Sequence, residues 1–108
     1  MRLNPLDPGS YNAEAGLAVG NFFLRRFEIA LSWATKSLAR QKTPMAGRAA
    51  MVSFAMLGRD VDAQIMQRRI HEAEADLTIA QIRKVIPYQR REDVELYLEA
   101  CRGAGVPE

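Results

Sequence analysis

The chain is short of the residue types that mark most protein chemistry. Its 108 residues include one cysteine, one histidine and one tryptophan. A single cysteine, Cys101, excludes an intrachain disulfide and makes a reducing cytoplasm the simplest home. Cys101 reads as a small apolar filler on the last helix. His71 and Cys101 are the only strong soft or borderline metal ligands, and a zinc site needs about four such groups. The Glu-x-x-His unit of carboxylate-bridged metal bundles is absent. No serine or cysteine sits in a sharp glycine elbow, and Gly103 and Gly105 do not open a phosphate-binding helix. These absences predict no catalytic residue, no metal and no cofactor, and so a protein that is not an enzyme.

Long apolar runs are also missing. The most apolar stretch, Ala13 to Trp33, is broken by Glu14, Arg25, Arg26 and Glu28. It falls short of the roughly 20 clean apolar residues that a membrane span requires. Aromatic and basic residues would still suit a helix lying flat on anionic lipid, a weaker alternative. Asn4-Pro5-Leu6-Asp7-Pro8-Gly9 supplies no apolar core for a secretory signal. No segment alternates apolar and polar residues as a half-buried strand does.

What remains is helical patterning. Hydrophobic residues make up 48% and charged residues 26%, which separates the chain from disordered sequences and suits one ordinary domain. The expectation is an all-α bundle of four or five helices, with an irregular arm over residues 1–11 and a single helical domain over 12–108.

Asn12 to Arg40 reads as one long helix of about 43 Å, capped by Asn12. It carries two apolar stripes. Phe23, Phe27, Ala30, Leu31, Ala34 and Leu38 share one broad face, with Gly16 and Gly20 upstream. Those glycines suggest the close approach of another helix. Phe22, Ile29 and Trp33 lie on the other side, among Arg25, Arg26, Lys36 and Arg40. An aromatic patch ringed by cations has the composition of an interface hot spot, so Phe22, Arg25, Arg26, Ile29, Trp33 and Lys36 form the candidate partner interface. The competing reading covers that stripe with a later helix of the same chain.

Thr43-Pro44 restarts a helix that Gly58 ends. From Met45 to Leu57 it is apolar nearly all round, as a central buried helix should be. A third helix begins near Asp60 and places Val61, Ile65, Met66, Ile70 and Ala73 on its apolar face. Asp76-Leu77-Thr78 suggests a break and a new cap. A short helix with Ile79, Ile82, Val85 and Ile86 then stops at Pro87. The last runs from Arg91 to Arg102 on a seam of Val94, Leu98 and Cys101. Its Glu92, Asp93, Glu95 and Glu99 read as a solvated acidic face.

Residues 78–106 thus resemble a helix-turn-helix, in which Gln89, Arg90 and Arg91 would meet DNA. Arg83 stands where a small residue usually packs, the turn is about one residue long for the motif, and the acidic face repels phosphate. A structural corner is the plainer reading.

Charge is uneven along the chain. Residues 1–59 carry eight Lys/Arg against three Asp/Glu, and residues 60–108 carry seven against ten. Either the halves neutralise each other within one molecule or the asymmetry steers a partner. The expectation is a cytoplasmic, non-enzymatic adaptor, regulator or inhibitor working through helix-mediated contacts, as a homodimer or with a protein partner. The alternative is a DNA-binding transcriptional regulator.

Overall fold

The computed structural model describes residues 11–40, 44–75, 77–85 and 90–108. They form six helices: α1 Tyr11–Phe23, α2 Phe27–Arg40, α3 Pro44–Met56, α4 Asp60–Ala73, α5 Ile79–Val85 and α6 Arg91–Ala104. No strand occurs among the described residues. The all-α expectation holds. The expected arm over 1–11 lies outside the described residues except for Tyr11, which is already helical, so Asn12 sits inside α1 rather than capping it.

The expected long helix over Asn12–Arg40 is two helices, which raises the count above the predicted four or five. The chain leaves α1 through a crossed pair of hydrogen bonds. The Arg26 N–H donates to the Asn21 carbonyl at 2.9 Å and the Arg25 N–H to the Phe22 carbonyl at 3.0 Å. This is a Schellman ending, and it places Arg25 in the left-handed region at φ 63°. Glycine usually fills that position, because a side chain there costs about 1–2 kcal/mol.

The same motif ends two other helices with the expected residue. After α3, Gly58 has φ 75°, and Arg59 N–H donates to Phe54 at 2.9 Å. After α6, Gly105 has φ 106°, and Val106 N–H donates to Cys101 at 3.1 Å. The Gly58 stop agrees with the sequence reading, whereas α6 runs two residues past the expected Arg102, through Gly103 and Ala104, before Gly105 stops it.

Past the elbow, α2 folds back along α1, and Ala18 and Ala34 meet in a small-residue cluster with Ala49 and Ala50 of α3. Helix α3 is central. It packs on α1, α2, α4 and α6, and its Ala46, Ala49, Ala50, Met51, Val52 and Ser53 are buried. That matches its all-round apolar sequence, although Met45 at its start is exposed. Gly16 and Gly20 meet no neighbour; the space over both is open, contrary to the expected close approach.

The expected apolar face of α4 holds at Met66 and Ile70 and fails at Val61, Ile65 and Ala73, which are exposed. Ala63 and Ile70 are buried, with Met66 packed against both clusters, while Val61 and Ile65 face solvent. The small Ala63, rather than the larger β-branched pair, sits inside. Thr78 does cap α5, accepting the Gln81 N–H at 3.2 Å. The Ile79 N–H donates to the Pro107 carbonyl at 2.8 Å, which ties the tail after α6 to the start of α5. Asp76, the other part of that expected break, lies outside the described residues.

Candidate functional site

The elbow between α1 and α2 is where most of the predicted interface residues are found, but they do not share one surface. Phe22 is fully buried. Its ring lies 5.5 Å from Phe23, 5.3 Å from Phe27 and 5.4 Å from Tyr97 of α6, centroid to centroid. Phe23 stacks on Tyr97 at 5.9 Å. Tilted and edge-on contacts of this kind add about 0.5–1.5 kcal/mol per pair beyond burial. The cluster clamps the elbow onto α6, so no partner reaches Phe22 while the fold is intact. The expectation that Phe22 contributes to an outer surface is corrected: its cover is Tyr97 of its own chain.

Arg25 carries the second clamp. Its Nη2 donates to Asp93 Oδ1 at 2.8 Å and its Nη1 to the Phe23 carbonyl at 2.9 Å. The Asp93 side chain is 8% exposed and that of Arg25 is 42% exposed. Asp93 therefore does not belong to the solvated acidic face predicted for α6. It sits in the first turn of that helix, where the positive end of the helix dipole favours a carboxylate. Arg90 approaches from the other side, with Nε 3.6 Å from Asp93 Oδ2. One buried carboxylate thus brings together Arg25 from the predicted protein interface and Arg90 from the predicted DNA set.

The rest of the two sets separates. Arg26 is exposed at the elbow, and Ile29 is 47% exposed in the first turn of α2. Trp33 is half-buried farther along α2, packed against the Ala18/Ala34/Ala49/Ala50 cluster, with Lys36 Nζ 4.7 Å from its ring centre. Arg91 is exposed at the start of α6, and Gln89 lies outside the described residues. Leu24, which the sequence reading did not select, is 64% exposed at the elbow. Its signal was hidden because a residue inside a continuous helix would have been assigned by its stripe, and Leu24 belongs to neither.

The outward face of α6 carries Glu92, Glu95 and Glu99. Arg83 of α5 donates to Glu95 at 2.8 Å, which holds the Glu95 carboxyl below its ordinary value. Arg83, read from sequence as an obstacle to helix packing, instead bridges α5 and α6 at the surface. Arg25–Asp93 and Arg48–Glu74 both join the basic first half to the acidic second half. Part of the charge asymmetry is therefore spent within the molecule.

Burial pushes the Cys101 thiol up to about 12, so it stays protonated at neutral pH and lacks the thiolate a nucleophile needs. Burial also raises the Tyr97 phenol above its ordinary value. Among the described residues no group of three or more His, Cys, Asp and Glu side chains is placed to hold a metal. No described helix is long and apolar enough to cross a membrane.

Comparison with protein-family models, with curated proteins and with solved structures finds no match. The functional reading rests on the geometry of this chain alone.

Proposed function

We propose that the protein is a non-enzymatic adaptor, regulator or inhibitor, cytoplasmic, that works through helix-mediated contacts with a second copy of itself or another protein. The observation that carries the reading is the elbow tip. Leu24 and Ile29 are 64% and 47% exposed within five residues of each other, with Arg26 between them. Arginine is enriched at protein interfaces, and the two exposed aliphatic side chains beside it add apolar area that a partner could bury. The tip is also firmly backed. The aromatic clamp and the Arg25–Asp93 pair hold it against α6, so little ordering remains to oppose association.

The DNA-binding alternative draws on Arg90 and Arg91 at the start of α6. It ranks second because the outward residues that follow, Glu92, Glu95 and Glu99, would repel phosphate along that helix.

Sedimentation equilibrium over a concentration series tests the preferred reading in its homodimer form. The wild-type chain is expected to exceed its 12.1 kDa monomer mass at high concentration. The Leu24→Glu, Ile29→Glu double variant is expected to remain monomeric with unchanged helical circular dichroism, since both positions are exposed. A variant that associates as the wild type does removes the elbow from the interface. Duplex-DNA binding that weakens steeply with salt, and is lost on replacing Arg90 and Arg91, favours the alternative.

A further inference from the structure

One face of α2 stays outside the bundle. Glu28, Ile29, Ser32, Thr35, Lys36 and Ala39 are all exposed, and the helical repeat places them on one stripe. Ala30, Ala34 and Ser37 hold the opposite side and are fully buried. The order along the stripe is symmetric about its centre. Glu28 and Lys36 stand four residues to either side of Ser32, with only Ile29, Ser32 and Thr35 between them on that face. The two charges lie about 12 Å apart along the axis, too far to meet within one helix. Glu28 takes part in no ion pair among the described residues. Ile29 is a large aliphatic side chain left 47% exposed. The Thr35 hydroxyl donates back to its own helix, at 3.0 Å from the Leu31 carbonyl and 2.9 Å from that of Ser32, which leaves its methyl group for an apolar contact. The outward face of α6 differs, since Glu92, Glu95 and Glu99 give it one sign of charge that would repel its own copy.

We propose that α2 packs antiparallel on α2 of a second copy of this chain, about a two-fold axis at Ser32. The rotation sets Glu28 against Lys36 of the second copy, Lys36 against its Glu28, and Ile29 against its Thr35. Ser32 meets itself, and its small side chain lets the two helices approach closely. A stripe with opposite charges at equal distances from its centre is complementary to itself, which is what a two-fold contact requires. The proposal rests on the homodimer form of the contact surface described above. It takes Ile29 from that surface and fixes the partner and the register. Helix α2 has 14 residues and spans about 21 Å, so the contact belongs to the small, reversible class.

Sedimentation equilibrium of two charge-reversed chains tests the register. Glu28→Lys makes both ends of the stripe positive, and Lys36→Glu makes both negative. Both positions are exposed, and helical circular dichroism checks that the fold is kept. Each variant alone is expected to self-associate about tenfold more weakly than the wild type, because two attractive pairs become two repulsive ones. Mixed in equal amounts, the two variants are expected to regain wild-type association, since each supplies the charge the other lacks. The Glu28→Lys, Lys36→Glu double variant is expected to self-associate as the wild type does. Single variants that associate like the wild type would overturn the proposal, as would a weakening that neither the mixture nor the double variant restores. Loss of association in Leu24→Glu alongside either of those results would overturn this register and keep the elbow as the interface. A wild-type chain that stays monomeric at every concentration would also overturn the proposal, and would leave the broader reading only a different protein as partner.

Discussion

Replacing Phe22 with alanine is expected to lower stability by about 3–5 kcal/mol, the range for a buried phenylalanine that leaves a cavity. The side chain is fully buried and touches three other aromatic rings from α1, α2 and α6. The surroundings cannot easily collapse into the space, because Phe23 and Tyr97 are already stacked on each other. Domains of this size are stable by about 5–15 kcal/mol, so the loss is a large share of the total. The midpoint of thermal unfolding should fall by roughly 15–30 °C. A calorimetric scan of the variant checks this. A small shift, with association lost and helicity kept, would return Phe22 to the outer surface.

Arg25 should show two opposed effects when it is replaced. Arg25→Ala removes the ion pair to Asp93 and leaves a side chain in the left-handed region. The cost is expected to be about 1–2 kcal/mol. It is held to that range because Arg25 is 42% exposed, so solvent weakens the pair, and because Arg90 still stands 3.6 Å from Asp93. Arg25→Gly removes the same pair but relieves the backbone at φ 63°. It should be more stable than Arg25→Ala by about 1 kcal/mol. Chemical denaturation gives both values. Equal stability of the two variants would mean that residue 25 does not occupy the left-handed conformation.

These two residues also show where the sequence could be read and where it could not. The ends of α3 and α6 were legible because glycine stands at the left-handed position, Gly58 and Gly105. The end of α1 uses the same hydrogen bonds with an arginine there, and nothing in local propensity marks Arg25 as a stop. What compensates is a contact with Asp93, 68 residues away in the chain. A tertiary contact of that kind has no local signature.

A trace of the break was nevertheless present. Two apolar stripes on opposite sides of one helix are hard to bury together. Once α2 folds back on α1, the stripes no longer belong to one helix. Phe22 goes inward with Phe23 and Phe27, Trp33 packs against the small-residue cluster, and Ile29 is left outside. Leu24 could not be found by periodicity, since it lies in the turn itself.

Other errors have similar causes. Val61 and Ile65 matched a helical apolar spacing with Ile70, but only Ile70 is buried, and Ala63, outside that spacing, is buried with it. Asp93 looked like its acidic neighbours until Arg25 was brought to it. The central position of α3 was legible because its apolar character needs no choice of face.

The account depends most on the elbow, and a distance across it is the most direct test. Nitroxide labels at Gly16→Cys and Lys36→Cys, both exposed positions, report whether residues 12–40 form one rod or a hairpin. Buried Cys101 should not take up the label. Electron–electron double resonance is expected to give a separation under about 20 Å, since packed helices lie roughly 8–10 Å apart and the labels add their own reach. A separation of about 30 Å, the length of twenty residues of straight helix, would contradict the elbow and the surface built on it.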